Sequence, residues 1–152
     1  MDDFAVSLVS DDDAMREVLY IRHLVFIEEQ HVPEALEIDD HDGSPAQVTS
    51  ALHVIGRLAG RPIATGRLLL DAAAGERAHL GRVAVLPEHR GRGYGARIMA
   101  FLHALARERG YSGIALAAQL QALGFYERLG YRVSGDVFLD AGIEHRIAEI
   151  DL

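Results

Sequence analysis

The chain has 152 residues, 49% of them hydrophobic, which fits one globular domain with a single core over residues 1–152. Because it contains neither cysteine nor lysine, disulfides, thiol nucleophiles, Schiff-base lysines and Walker-type phosphate loops are excluded. A net charge of −8 argues against general nucleic-acid binding, and without a signal-peptide core or an apolar run of roughly 18 residues we expect a cytoplasmic protein with no membrane partner.

The apolar patterns predict an alternation of strands and helices. In chain order these are a strand at 4–9, a helix at 14–26, strands at 49–57, 62–70 and 78–86, a helix at 95–109, a strand at 114–118, a helix at 120–129, and strands at 131–139 and 145–152. The run Asp11-Asp-Asp offers an N-cap and a negative first turn to the first helix. Residues 28–42 are acidic and contain Pro33, so we interpret them as a loop with at most one helical turn. This order implies a mixed α/β sheet with helices on its faces.

The corner between the strand at 78–86 and the helix at 95–109 has an unusual composition. Residues 89–98 read HRGRGYGARI, with three glycines and three arginines. Glycines at such a corner let backbone N–H groups turn outward, and the helix N-terminus adds a partial positive charge. Residues 1–42 carry a net −11 and the rest of the chain +3, so an anionic ligand would be drawn to this corner. We interpret it as a phosphate cradle; the alternative is a tight turn whose glycines only reverse the chain.

Two standard nucleotide fingerprints do not fit this corner. Its glycines are spaced G-x-G-x-G and not G-x-G-x-x-G, and the following strand at 114–118 contains no acid to bind a ribose. The P-loop pattern fails because the chain has no lysine. These mismatches disfavour a nicotinamide- or flavin-dependent oxidoreductase.

The sequence resembles the GNAT family of N-acetyltransferases in two motifs, which follow each other along the chain in the family's order. Residues 90–95, RGRGYG, are similar to the family's Q/R-x-x-G-x-G/A corner, and residues 119–131, QLQALGFYERLGY, to its N-x-x-A-x-x-F-Y-x-x-x-G-F segment. Segments such as 22–33 and 141–145 extend the similarity, over nearly the whole chain, to an ElaA-like or YjcF-like subgroup. The resemblance implies a mixed, mainly antiparallel twisted sheet of six to seven strands, flanked by helices and with splayed central strands.

The resemblance also implies a cofactor, acetyl-coenzyme A, as the acetyl donor. Its pyrophosphate would bind the corner, and its pantetheine arm would pair with the backbone of the preceding strand. The expected cofactor contacts are Val83, Ala84, Val85, Arg90, Gly91, Arg92, Gly93, Tyr94, Gly95, Ala96, Gln119 and Tyr126. Val83 and Val85 can be core residues as well, because this role uses only backbone atoms. Gln119 stands where the family usually has asparagine, and its longer side chain changes the reach of the amide.

Acetyl transfer from a thioester to an amine needs an acid for the departing thiolate and a base for the amine. Tyr126 is the candidate acid, since tyrosine, with a pKa of about 10, is protonated at neutral pH; Phe125 is interpreted as a packing residue. The central-strand glutamate of many family members is missing. His145 is therefore the candidate base or a substrate contact. Glu144 and Glu29 are alternatives that would act through water.

The substrate expected from the resemblance is a small-molecule amine. Arg22 and Arg82 lie in apolar elements, as does Arg67, and a buried arginine usually has a carboxylate or phosphate partner. If Arg22 and Arg82 face the slot, they would bind an acidic group of the substrate; if they pair with aspartates of the 39–42 loop, they are structural. No metal is expected, since the eight histidines lack the H-E-x-x-H spacing. Family members are often dimers, so a homodimer stays open.

Two functional interpretations remain. The first is an acetyl-coenzyme A-dependent N-acetyltransferase that acts on a small amine by direct attack in a ternary complex. The alternative is a non-catalytic acyl-coenzyme A binding or sensor module that kept the cradle and lost the chemistry. Tyr126 and His145 favour the enzyme, and the missing strand glutamate favours the sensor.

Overall fold

Seven strands form one sheet in this computed structural model, which describes residues 3–152; the first two residues of the acidic N-terminus lie outside it. The strands are β1 (Phe4–Leu8), β2 (Ala51–Leu58), β3 (Arg61–Leu69), β4 (Arg77–Val85), β5 (Gly113–Gln119), β6 (Arg132–Asp140) and β7 (Ile143–Asp151). Their order across the sheet is β1-β2-β3-β4-β5-β7-β6, and all neighbouring pairs are antiparallel except β4 and β5. The predicted strands agree with these to within two residues, and the mixed, mainly antiparallel sheet is confirmed.

The helices are α1 (Asp12–Arg22), a π-helix (His23–Glu29), α2 (Glu34–Glu37), α3 (Tyr94–Glu108) and α4 (Leu123–Arg128). Asp11 caps α1 as predicted, since its side chain accepts a hydrogen bond of 2.8 Å from the Ala14 amide. The predicted helix at 14–26 changes at its end into the wider π-helix, which is often found at functional sites. The predicted loop at 28–42 contains the short α2.

The helices cover both faces of the sheet. Neighbouring residues of a strand point to opposite faces, so Val54 packs with α3 while Ile55 packs with α1. The core on the α3 side includes the fully buried Ile98 and Leu102. Because helices cover the two faces, a ligand site can form where two neighbouring strands separate in the middle of the sheet. No helix formed by residues 3–152 is long and apolar enough to cross a membrane.

The central strands β4 and β5 diverge after a short parallel pairing. In the described chain they pair over three positions, which end at His79 and Ala115, although β4 continues to Val85 and β5 to Gln119. The expected splay is confirmed, and it leaves a slot between the two strands.

A β-bulge in β4 accompanies the splay. Thr65 pairs with Ala84 and Arg67 pairs with Gly81, so β4 has one more residue than β3 over this stretch. Within it, Arg82 has a φ of +53°, in the left-handed region that residues other than glycine rarely adopt. A bulge bends its strand and increases the local twist. The bulge lies in the part of β4 that no longer pairs with β5.

Candidate active site

The slot between β4 and β5 widens into a cavity of about 960 Å³, which we term the cleft. It is lined along one side by β4 and the glycine corner, and along the other by β5, α4 and the start of β7. The π-helix, α2 and β3 contribute the remaining wall. This volume lies at the upper end of the range for ligand pockets, which is about 300–1,000 Å³.

The glycine corner presents backbone groups to the cleft. Gly91 and Gly93 have φ values of +76° and +84°, and α3 begins directly after Gly93. A Cβ added to either glycine would have no heavy atom of residues 3–152 within 4 Å, so the space above the corner is open. The first N–H groups of an α-helix have no intrahelical partner, and the first turn of α3, Tyr-Gly-Ala-Arg, contains no acid. These properties fit a pyrophosphate group.

The arginines of the corner differ in position. Arg90 lines the cleft, and its guanidinium donates to Glu29 at 2.7 and 2.8 Å and to the Val85 carbonyl at 2.9 Å. The hydrogen bonds from Arg90 lower the pKa of Glu29. Arg92 is exposed and is not among the described residues that line the cleft. A side-chain contact by Arg92 with a ligand in the cleft is therefore not supported, although its backbone belongs to the corner.

The end of β4 has a free edge in the cleft. Val83, Ala84 and Val85 all line it, and Ala84 is buried by Ile21 and Val25 on its other side. Because the pairing of β4 with β5 has ended, the backbone groups on this edge have no strand opposite. A ligand arm can take the place of that strand.

Tyr126 lies on α4 and lines the cleft. Its ring meets those of Phe125 and Tyr131 edge-on, with centroid distances of 5.0 and 5.6 Å. Burial raises the pKa of Tyr126 to about 12. The hydroxyl therefore keeps its proton at neutral pH and is a hydrogen donor. Phe125 packs beside it and against Gly95, where an added Cβ would lie 3.3 Å from the Phe125 ring.

His145 is a buried residue of β7 that also lines the cleft. Its Nδ1 lies 2.7 Å from the Ile143 carbonyl oxygen, and Phe138 stacks on the ring at 5.9 Å. A carbonyl oxygen only accepts hydrogen bonds, so Nδ1 carries the proton in the neutral ring. Nε2 is then left as the acceptor, which is the form that a general base requires. The structure therefore brings both predicted catalytic residues to one cleft.

Gln119 lines the cleft at the end of β5. Its Nε2 donates to Oε1 of Gln30 at 2.8 Å, and its own Oε1 accepts from Gln121. Gln30 directly follows the π-helix, so this bond joins that segment to β5. The sequence analysis did not identify Gln30, because no spacing relates it to Gln119.

The predicted substrate contacts need one correction. Arg22 is fully buried, with Nε 2.8 Å from Glu37 and Nη1 2.6 Å from Asp42, and it is not among the described residues that line the cleft. It therefore does not face the slot. It pairs with an aspartate of the 39–42 loop, which is the arrangement that the sequence analysis gave as the sign of a structural role. Arg82 does line the cleft, at the β4 bulge.

Glu37 and Arg67 are cleft residues that the sequence analysis did not place there. Glu37 is only 2% exposed, although the acidic segment that contains it was interpreted as a loop. The sequence does contain one indication of a buried acid such as Glu37, namely the arginines within apolar elements, since each buried guanidinium needs an acidic partner. Among residues 3–152 no three histidine, aspartate or glutamate side chains are grouped as a metal centre requires.

Asp42 makes the stability of this cluster dependent on pH. Burial alone would raise its pKa, but hydrogen bonds and charge from Arg22, with the charge of Arg67, hold the pKa well below its usual range. A carboxylate with a lowered folded-state pKa stabilises the protein fully above its unfolded value of about 3.9, and this contribution is lost as the pH falls toward the folded value. We expect the urea midpoint to fall from about pH 5 downward. The Asp42→Asn variant should show a flatter pH profile; an equal slope would contradict this role.

Comparisons with known proteins agree with this geometry. Residues 14–131 match the sequence model of the acetyltransferase (GNAT) family. The uncharacterized N-acetyltransferase YjcF of Bacillus subtilis is 36% identical over 139 residues, which cover 91% of this chain and 93% of that protein. The uncharacterized protein YyaT of the same organism is 36% identical over 140 residues, which cover 92% and 90%.

Solved structures share the fold. Escherichia coli ElaA superposes with a TM-score of 0.80 at 23% identity, over 97% of this chain and 99% of that one. An aminoglycoside 6'-N-acetyltransferase complexed with coenzyme A gives a TM-score of 0.74 at 14% identity, over 97% and 96%. The similarity to YjcF and ElaA noted in the sequence is confirmed. With a family match over most of its length and two relatives above 30% identity, the chain belongs to the GNAT family and is an acetyltransferase.

Proposed function

We propose that this acetyltransferase moves an acetyl group from acetyl-coenzyme A to the amine of a small molecule, by direct attack in a ternary complex. The observation that carries the proposal is that a single cleft contains the glycine corner, the free edge of β4, and the side chains of Tyr126 and His145. No cysteine, serine or threonine is among the described residues that line the cleft, where one could carry an acyl-enzyme intermediate. Donor and acceptor would therefore be bound together, which favours direct transfer.

Each group of the cleft has one task in this proposal. Acetyl-coenzyme A supplies an activated thioester. The N–H groups of the corner and of the first turn of α3 bind the pyrophosphate, and the free edge of β4 aligns the pantetheine arm. Nε2 of His145 accepts a proton from the amine. The Tyr126 hydroxyl donates a proton to the sulfur as the C–S bond breaks and the C–N bond forms.

Isothermal titration with acetyl-coenzyme A, with NAD⁺ and ATP as controls, tests the cofactor assignment. We expect binding of acetyl-coenzyme A alone. A thiol-release assay with a panel of amines then separates the enzyme from the sensor module. A sensor would bind the cofactor without releasing thiol, and failure to bind acetyl-coenzyme A would overturn the proposal.

The cradle itself is tested by Gly93→Val. The new side chain would occupy the open space where the pyrophosphate is expected, and we expect Kd for acetyl-coenzyme A to rise about 10- to 100-fold, as for the loss of a charge-assisted hydrogen bond worth about 1.5–3 kcal/mol. The matched control is Gly75→Val. Gly75 has nearly the same φ, +87° against +84°, and nothing within 4 Å in the described chain, but it lies outside the cleft lining. Equal Kd values for the two variants would refute the cradle.

A further inference from the structure

The end of the cleft farther from the cradle has a chemistry of its own. It is lined by α2, β3 and the first half of β4 through Leu36, Glu37, Arg67, Leu69, Leu80 and Arg82. Since a strand rises about 3.3 Å per residue and this stretch of β4 spans four residues of β3, Leu80 lies roughly 13 Å along the sheet from Val85 at the cradle. We term this region the acceptor end. Two guanidinium groups lie among its lining residues, Arg67 buried and Arg82 partly buried, and a guanidinium that is partly shielded from water interacts more strongly with an anion than one in bulk water.

The two guanidinium groups belong to a cluster of three arginines and three acids. The six residues are Arg22, Arg67, Arg82, Glu37, Asp39 and Asp42. Arg22 is satisfied at every nitrogen, through Glu37 and Asp42. Burial works against its charge, but these bonds outweigh burial and raise the pKa of Arg22. Arg22 therefore has no need of a ligand.

Arg67 is not satisfied in the same way. Its Nη atoms donate to Asp39 and Asp42 at 2.8 to 3.0 Å. Its Nε is buried and has no hydrogen-bond partner within residues 3–152, although the residue is only 5% exposed and lines the cleft. A buried donor without an acceptor costs about 1–3 kcal/mol. An acceptor on a ligand in the cleft would remove that cost.

Arg82 is the more accessible of the two. Its Nε and Nη2 donate to the backbone carbonyls of Glu37 and Leu36, which do not cancel its charge, and within residues 3–152 no hydrogen bond uses Nη1. The nearest carboxylate oxygens are on Glu37 at 3.2 Å, which also binds Arg22, and on Asp39 at 3.7 Å, which also binds Arg67. Burial and the charges of Arg67 and Arg22 lower the pKa of Arg82. Its side chain is 27% exposed.

From these contacts we propose that the acceptor is an amine that also bears a carboxylate, as amino acids do, and that Arg82 and Nε of Arg67 bind this carboxylate. The inference rests on the proposed acetyl transfer. A planar carboxylate offers two acceptor oxygens and matches the fork of a guanidinium. It would give Arg67 its missing acceptor and give Arg82, whose carboxylate neighbours are shared with Arg22 and Arg67, a carboxylate of its own. The amine would then lie toward Tyr126 and His145.

The test compares acceptors that differ only in the anion. Thiol release is measured with glycine, L-alanine and L-leucine, each against its carboxamide, and with ethanolamine against O-phosphoethanolamine. We expect kcat/KM to be about 10- to 100-fold higher for the acids, as for one charge-assisted bidentate contact. The amine of a carboxamide is the more readily deprotonated of the two, so a preference for the acid reports binding and not intrinsic reactivity.

Variants assign the preference to the acceptor end. In Arg82→Gln the acid-to-amide ratio of kcat/KM should fall toward one through a higher KM for the acid, and Arg82→Lys, which keeps the charge without the fork, should be intermediate. The exposed Arg132→Gln on β6 is the control, which should keep the wild-type ratio. Circular dichroism verifies that each variant is folded.

Each outcome decides between the proposals. A preference for acids that Arg82→Gln removes supports the carboxylate site. Equal use of amides and acids, a preference for the phosphorylated amine alone, or a ratio unchanged in Arg82→Gln would overturn the carboxylate site and leave acetyl transfer standing. Absence of acetyl-coenzyme A binding would instead overturn the proposed function.

Discussion

Replacing Tyr126 with phenylalanine is expected to lower kcat by about 10²- to 10⁴-fold, the usual contribution of a general acid. The substitution removes the hydroxyl but keeps the ring that packs edge-on against Phe125 and Tyr131. Since burial raises the pKa of Tyr126 to about 12, the wild-type side chain holds its proton throughout the neutral range. The loss would therefore appear in kcat, measured by thiol release, with Kd for acetyl-coenzyme A close to the wild-type value.

Tyr131→Phe is the matched control for this experiment. Tyr131 is also a buried tyrosine, but its hydroxyl bonds His103 at 2.6 Å and it is not among the described residues that line the cleft. Removing that hydroxyl leaves His103 without its partner and should destabilise the protein by about 1–3 kcal/mol. Its kcat should stay within about twofold of wild type, because its hydroxyl lies outside the cleft. A factor of two corresponds to less than 1.4 kcal/mol in the barrier. An unaltered kcat in Tyr126→Phe would remove Tyr126 from the mechanism.

The largest effect on stability is expected from Arg22→Met. Arg22 is fully buried, and its removal leaves Glu37 and Asp42 with less compensation inside the protein. Removing one partner of a buried ion pair costs about 3–5 kcal/mol. Because domains are stable by only about 5–15 kcal/mol, this is a large share of the total. Urea unfolding followed by circular dichroism measures the change.

A control for this variant lies on the same helix. Arg16 also pairs with an acid, Asp13, but both side chains are mostly exposed, at 70% and 85%. Surface ion pairs contribute about 0–1 kcal/mol because water screens them. Arg16→Met should therefore shift the urea midpoint little. Similar midpoints for the two variants would mean that the buried cluster does not hold α1 and α2 against the sheet.

Much of the fold could be predicted from periodicity, but not the parts that shape the cleft. The alternation of apolar residues in the strands and the helical spacing of Ile98 and Leu102 depend only on nearby residues. The sequence therefore predicts these strands and this helix. The π-helix could not be predicted, since the search for apolar residues at 3.6 residues per turn does not detect a helix with a wider turn. The divergence of β4 and β5 was expected only from the family resemblance. It depends on pairing between strands that are far apart in the chain.

The site shows the same division. The glycine corner, Tyr126 and His145 are local features with recognisable chemistry. Glu37, in contrast, reads as one acid of a polar loop, because the partners of its carboxylate, Arg22 and Arg82, lie 15 residues before it and 45 residues after it. Arg90 and Arg92 look equivalent in the sequence, and only the course of the backbone puts one in the cleft and leaves the other in solvent.

The extra residue of β4 has a consequence for how this chain tolerates changes in length. Insertions and deletions are usually accepted in surface loops. Here a deletion at residue 82 would restore an even register with β3 and leave Ala84 and Val85 opposite Thr65 and Ala64, with their side chains on the same faces as before. It would also remove the arginine and the bend that accompany the divergence of the strands. The length of this strand therefore bears on function, because its one extra residue brings the Arg82 side chain into the lining of the cleft.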